Sequence, residues 1–392
     1  MHTAAIQSRV TPSDTMRHRF SVAPMMDCTD RHYRYLARLI SRHALLYTEM
    51  LTTGAVIFGN TEKLLGYHPA EHPVALQIGG SNPVEMARSA RIGELLGYDE
   101  ININAGCPSD RVQAGAFGAC LMKQPQRVAD CVKAMRDAVD VPVTVKQRIG
   151  VDDEDSMAAL QVFVDTVSRA GCDTFIIHAR KAWLRGLSPR QNREVPPLRY
   201  PVVHELKQAF PELTIVINGG FQDLDPAFDQ LRWVDGVMIG RAAYADPYVL
   251  AGADRLFFGD DGRVPTRMEV LARYKVYCEW QLERGVPLGR MVRHIVGLFQ
   301  RCRGAKAWRR HLSENAHRPG AGLEVIDHAA SHVLEVDLWK EAEFALSHPF
   351  EVRGVPLGGG PPAPRPRSAS RRSCLPGVKN EPRDSATATG KE

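Results

Sequence analysis

The chain has 392 residues, of which 44% are hydrophobic and 24% charged, a composition that is ordinary for a globular protein with a large core. No apolar run reaches the roughly 18 residues of a membrane-spanning helix, and the first residues carry no apolar segment typical of a secretory signal. The 8 cysteines form no CxxC pair, which argues against a disulfide framework and a zinc site. We therefore expect a cytoplasmic protein without a metal, and no pattern indicates an obligate protein partner.

The net charge of +5 conceals an uneven distribution of basic residues. Residues 180–193 carry a net charge of +5, residues 290–318 carry +7 and residues 354–392 carry +4, so the remainder of the chain is acidic. Local basicity on an acidic body is typical of a protein that binds a polyanion. The alternative is that each basic stretch is solvated surface charge.

Eight short apolar or β-branched segments alternate with helical patterns between residues 20 and 258. Helix 124–139 places Val128, Val132, Met135 and Val139 on one face, and Asn82 followed by Pro83 opens another helix. This number and length of units predicts an α/β fold of the (β/α)8 TIM-barrel type. An open doubly wound sheet is the competitor, but no glycine fingerprint follows the first strand. The predicted strands are 20–24, 45–50, 74–80, 100–106, 142–150, 174–180, 214–220 and 235–241.

The segment after the barrel changes character. A stripe from Met268 to Leu282 predicts a helix that ends at Gly285, and no strand-like run follows it. We predict a small all-helical domain that includes the basic stretch 290–318. The predicted organisation is a disordered extension at 1–17, a barrel at 18–258, the helical domain at 265–345 and a disordered Pro/Gly-rich tail at 354–392.

Polar residues and glycines follow the predicted strands at the end where barrels place their active sites. Two glycine turns follow the seventh and eighth strands, at 218–220 and 240–241, and loops there commonly bind phosphate. Arg241 adds a positive charge for such a ligand. The alternative is that these are two tight structural turns.

Lys146 and Cys107 suggest what the barrel mouth does. A buried lysine without a partner is costly, so Lys146 favours an anionic ligand, and a flavin ring that gains negative charge on reduction fits. The alternative is an ion pair with Glu49. His178 is a second flavin or phosphate contact, or else a satisfied core histidine. Cys107 stands in a Gly-Cys-Pro loop with no adjacent histidine, which favours a general acid over an activated nucleophile.

Several long segments resemble the A-type tRNA-dihydrouridine synthase family, over about Phe20 to Leu334. The most specific are NAGCPSDRVQ, around Cys107, and HARKAWLRGLSP, after the sixth strand. The resemblance implies a barrel that carries FMN and a helical domain that helps to bind tRNA. It implies reduction of uridine to 5,6-dihydrouridine at positions 20 and 20a of the D-loop, with hydride from flavin N5 to C6, a proton from Cys107 to C5, and NADPH as reductant.

The resemblance also implies roles for individual residues. Asn104 is expected to contact the RNA, while the pairs Arg190 with Arg193 and Lys306 with Arg309 are expected to orient the tRNA. The expected FMN contacts are Pro24, Met25, Met26, Gln77, Lys146, His178, Asn218, Gly219, Gly220, Gly240 and Arg241.

Two other functions stay open at this stage. One is an FMN barrel that reduces a small molecule, although a small substrate needs neither basic stretch. The other is a tRNA-binding protein with a vestigial barrel, although the set of Lys146, His178 and Cys107 argues against it.

Overall fold

The computed structural model describes residues 14–333. The predicted tail at 354–392, the end of the predicted helical domain and residues 1–13 lie outside the described residues. Helix α1, Asp14–Arg17, falls within the predicted disordered extension. The guanidinium of Arg17 donates to the carbonyl of Asp99 at 3.1 Å, and the predicted extension at 1–17 stays a prediction.

Eight parallel strands close into a barrel, as predicted. Strand β1 pairs with both β2 and β9, and β2 pairs with β4, so the ring runs β1, β2, β4 and onward through β9. The two-residue strand β3 pairs with β4 outside this ring, and the sequence pattern did not predict it. The strands are β1 Phe20–Val22, β2 Leu45–Tyr47, β3 Leu51–Thr52, β4 Val74–Gly79, β5 Glu100–Ala105, β6 Val143–Arg148, β7 Thr174–His178, β8 Thr214–Asn218 and β9 Gly236–Ile239.

Helices surround the barrel, and their ends follow local sequence signals. Helix α5 begins where the side chain of Asn82 accepts hydrogen bonds from the N–H groups of Val84 and Glu85. It ends at Gly97, which has a φ of 92°. The helices up to the end of the barrel are α2 Arg31–Ile40, α3 Thr53–Phe58, α4 Thr61–Leu65, α5 Pro83–Leu96, α6 Asp110–Ala114, α7 Pro125–Ala138, α8 Met157–Ser168, α9 Tyr200–Ala209, α10 Leu224–Phe228, α11 Arg241–Ala245 and α12 Ala253–Phe258.

A helical region follows the barrel: α13 Arg267–Leu282, α14 Leu288–Val292, α15 Ala305–Asn315 and α16 Glu324–Ala330. Between residues 265 and 333 the structure contains no strand, as the sequence predicts. The predicted domain boundaries stay predictions, because residues 14–333 belong to one compact unit. No helix in the described part of the chain has the length and apolar character that a membrane crossing requires.

Contacts join the helical region to helix α2 and to Asp30, at the end of the loop that follows β1. The ring of His32 lies 2.8 Å from the hydroxyl of Tyr277, and Arg293 donates to Asp30 at 2.5 Å. The rings of Tyr35 and Tyr277 stack with centroids 4.0 Å apart. Because the same loop continues from Pro24 and Met25, these contacts fix the helical region beside the barrel mouth.

Candidate active site

A pocket opens at the carboxyl ends of the barrel strands, where the sequence predicts the site. Lys146 from β6, His178 from β7 and Asn218 from β8 line its floor, since parallel pairing places His178 directly beside Asn218. The pocket is also lined by the predicted residues Pro24, Met25, Gly219, Gly220, Gly240 and Arg241.

Lys146 is a partly buried cation without a carboxylate partner among the described residues. Its Nζ donates to Oδ1 of Asn218 at 3.1 Å, and no described carboxylate forms an ion pair with it. The alternative of an ion pair with Glu49 is therefore not realised. Burial and the charge of Arg148 lower the pKa of Lys146 to about 7. An anion bound beside Nζ would favour the charged form.

His178 is held as a neutral imidazole. Burial lowers its pKa well below the ordinary value, and the charges of Arg148, Lys146, Arg180 and Arg241 add to that effect. The ring therefore offers one donor and one acceptor nitrogen near neutral pH. The cluster of cations around it makes the pocket electropositive.

The two glycine turns differ in whether the packing of the chain requires a glycine at that position. Gly219 and Gly220 have φ values of +126° and +78°, and a Cβ at Gly219 would lie 2.8 Å from the His178 ring. The packing of the chain itself therefore requires this turn, in line with the structural alternative. At Gly240 a Cβ would meet Ala23 and Met25 only at 3.4–3.5 Å. A Cβ would fit at Gly240 in ordinary van der Waals contact, so the packing of the chain does not itself require glycine there.

Asn104 shapes the loop that carries Cys107. Its Oδ1 accepts hydrogen bonds from the N–H groups of Gly106 at 3.1 Å and Cys107 at 3.0 Å. Its Nδ2 donates to Oε1 of Gln77 at 2.9 Å. Cys107 is partly exposed, with Sγ 3.6 Å from Oγ of Ser109. The thiol of Cys107 therefore lies at the carboxyl end of β5, on a loop whose backbone is hydrogen-bonded to Asn104.

Two of the predicted cofactor residues do not line the pocket. Met26 is 56% exposed and is absent from the pocket lining, unlike its neighbours Pro24 and Met25. Gln77 is buried beneath the mouth and bonds to Asn104 and Asn102. It supports the Cys107 loop through Asn104.

Of the predicted RNA-binding residues, three are exposed, namely Arg190, Arg193 and Lys306, whereas Asn104 and Arg309 are partly buried. Arg193 lines the edge of the pocket, whereas the side chain of Arg190 is 81% exposed and lies 3.6 Å from Glu194. On α15, Lys306 is exposed, and Arg309 donates to Oε1 of Gln300 at 2.9 Å. The basic residues of loop 180–193 and α15 are thus accessible to a large anionic partner.

Arg148 is a central residue of the mouth to which the sequence predictions assign no role. Its guanidinium is buried and donates to the carbonyls of Gly106 at 3.1 Å, Lys181 at 3.0 Å and Asn192 at 2.9 Å. It therefore ties the Cys107 loop to the basic loop after β7. The available signal was strand alternation, because residues 146 and 148 share one face of β6.

One group of possible metal ligands exists among the described residues, namely His43, Asp254 and Asp260. It lies outside the pocket lining. Asp254 accepts from the Oγ of Ser41 and the N–H of Arg42, and Asp260 pairs with Arg42 and His43. Protein donors already satisfy these carboxylates, and the expectation of no metal stays a prediction.

Comparison with known proteins identifies close relatives. The dihydrouridine synthase (Dus) family model matches residues 21–334. The tRNA-dihydrouridine(20/20a) synthase of Vibrio parahaemolyticus is 57% identical over 316 residues, which cover 80% of this chain and 97% of that protein. The enzymes of that name from Salmonella typhimurium and Escherichia coli are each 55% identical, covering 84% of this chain and 99% and 96% of those proteins.

The depressed pKa of Lys146 predicts pH-dependent binding of an anion at the mouth. Lys146 is charged below about pH 7 and loses its proton above it. FMN, used as an anionic flavin probe, should therefore bind the flavin-free protein progressively more weakly from about pH 7 to 9, by up to about tenfold per pH unit. Binding raises the lysine pKa, so calorimetry in two buffers should show proton uptake in this range. The phosphate is already fully ionised there, since its second pKa is near 6.

Lys146→Met is the control for this prediction. The variant should bind FMN more weakly and without proton uptake between about pH 7 and 9. The same proton uptake in the variant would assign the titration to another group.

Proposed function

Because the chain belongs to the dihydrouridine synthase family, we propose that it reduces uridine to 5,6-dihydrouridine at positions 20 and 20a of the tRNA D-loop. Relatives that carry this activity in their names are 55–57% identical to it, and the match spans nearly their whole length. The observation that carries the proposal is the partly buried Lys146, which has no carboxylate partner among the described residues and lies on the strand next to the one that leads into the Cys107 loop.

FMN is the cofactor that the mouth fits. Lys146 offers a partly buried ammonium, His178 offers a neutral ring, and Gly240 offers a backbone without a side chain at the pocket lining. When bound, FMN supplies the hydride for C6 of the uracil ring after reduction by NADPH. The ammonium of Lys146 would stabilise the negative charge of the reduced ring.

Cys107 is the proposed proton donor to C5. Its backbone is fixed by the bond from the N–H of Cys107 to Asn104 and by the bond from Arg148 to the carbonyl of Gly106. A positioned general acid of this kind contributes about 10²–10⁴ in rate. The basic loop attached to Arg148 brings the RNA surface and the acid into one fixed arrangement.

The target uridine must leave the stack of the D-loop to reach this mouth. Arg193 at the pocket edge and Arg309 on α15 provide separate positive charges for phosphates that flank the extruded base. Contacts of this kind position the RNA without reading its sequence.

The direct test uses purified protein with NADPH and an unmodified tRNA transcript that has uridine at positions 20 and 20a. Mapping of dihydrouridine should find the product at these positions and at no other uridine. NADPH should reduce the bound flavin faster than NADH does. Product at a different D-loop position would refute the assignment to 20 and 20a.

Replacement of Cys107 separates reduction of the flavin by NADPH from reduction of the uridine. Cys107→Ala should keep FMN and its reduction by NADPH, because protonation of C5 follows flavin reduction. Formation of dihydrouridine should fall by at least about 10²-fold. Cys120→Ala is the matched control, since Cys120 is also partly exposed but its thiol bonds to the carbonyl of Phe117. Equal loss of flavin reduction in Cys107→Ala would indicate a structural role.

The arginines predicted to bind RNA should act through phosphates. Arg193→Gln and Arg309→Gln should each weaken tRNA binding and reduce the salt slope of log K by about 0.7–0.9 for each phosphate that is no longer neutralised. NADPH oxidation without tRNA should stay normal in Arg309→Gln, because Arg309 does not line the pocket. Arg232→Gln serves as control, because Arg232 is an exposed arginine paired with Asp229 on another face. Unchanged salt dependence would show that other residues bind the phosphates.

A further inference from the structure

A second cavity lies next to the mouth, where the barrel meets the helical region. We call it the seam cavity. The loop after β8 contributes Gln222, the segment after α11 contributes Asp246 and Tyr248, and the helical region contributes Arg267, Gln300 and Arg301. Because Gln222 also lines the pocket at the mouth, the two cavities are neighbours. Nothing in the proposed chemistry uses the seam cavity.

Asp246 is the residue of this cavity that indicates a ligand. Its Oδ1 is buried and accepts no hydrogen bond from any residue that the structure describes. The carboxylate accepts a bond from the N–H of Tyr248, and burial raises its pKa although Arg267 and Arg301 oppose that effect. A buried carboxylate oxygen without a donor is costly, and a ligand that donates N–H groups would remove the cost.

The other walls suit a nucleotide. The guanidinium of Arg267 lies 3.9 Å from the centre of the Tyr248 ring, which forms a flat cationic and aromatic surface of the kind on which unstacked bases rest. Arg301 is exposed and supplies a positive charge for a phosphate. Gln300 accepts from Arg309 on α15, so the cavity is continuous with the surface proposed to bind tRNA.

We propose that the seam cavity binds a second, unstacked nucleotide of the tRNA, a guanosine whose N1–H and N2–H groups donate to the carboxylate of Asp246. Guanine is the base that presents two adjacent donors to one carboxylate, whereas uracil presents a single N–H. This inference rests on the proposed function for its substrate. It adds a base-specific contact to a surface otherwise composed of phosphate contacts.

The test is a double-mutant cycle on the holoenzyme. Asp246→Asn keeps the size of the side chain but replaces one acceptor oxygen by a donor. Affinity is measured for a tRNA transcript and for transcripts in which single D-loop guanosines are replaced by inosine, which lacks the N2 amine. In the wild-type protein, one inosine position should weaken binding. Asp246→Asn should weaken binding of the unmodified transcript by about 5- to 150-fold, and the same inosine should cost it little more.

The sign of the effect separates base recognition from general charge. Loss of a negative charge beside RNA should by itself strengthen tRNA binding. The control is Asp225→Asn, because Asp225 is an exposed carboxylate on α10 outside the cavity. This variant should show unchanged or slightly tighter binding. Unchanged or tighter binding by Asp246→Asn would overturn the inference, as would an equal cost of every inosine in both proteins. A raised KM for NADPH without tRNA would assign the cavity to the reductant instead. Because the cycle measures binding, it is decided separately from dihydrouridine formation.

Discussion

Repulsion among the cations of the barrel mouth is the constraint around which the site is built. Lys146 and Arg148 lie on one face of β6, and burial together with neighbouring positive charges lowers the pKa of each, to about 7 and about 10. Glu194 offsets part of this charge through Arg241, at 3.0 Å. Arg148 is satisfied by three backbone carbonyls. Carbonyls supply acceptors without cancelling charge, so the pocket stays electropositive and is suited to an anionic cofactor.

The sequence predicted the barrel and much of its mouth because both follow from strand periodicity. Near-continuous apolar runs located the eight strands of the ring, and a closed parallel ring necessarily brings its strand ends together. Lys146, His178 and Asn218 therefore converge although they are distant in the chain. The capping signal at Asn82 likewise located the start of α5.

The features that the sequence did not predict depend on contacts between distant segments or on single backbone angles. Arg148 ends a strand in the sequence, and its acceptors at Lys181 and Asn192 lie more than one β/α unit away. Met26 resembles its neighbours in the sequence, but the chain turns at Asp27, which has a φ of 61°, and Met26 is exposed. Residue propensities contain no information on contacts between distant segments or on single backbone angles.

The loop after β1 connects the barrel mouth to the helical region. Pro24 and Met25 line the mouth, and a few residues later Asp30 caps α2 while accepting from Arg293 of the helical region. Burial opposes ionisation of Asp30, but its bonds to His294 and the backbone hold its pKa well below the ordinary value, so the carboxylate is charged throughout the neutral range. Because Asp30 bonds both to the N-terminus of α2 and to the side chains of Arg293 and His294, it fixes the helical region against the loop that also lines the mouth.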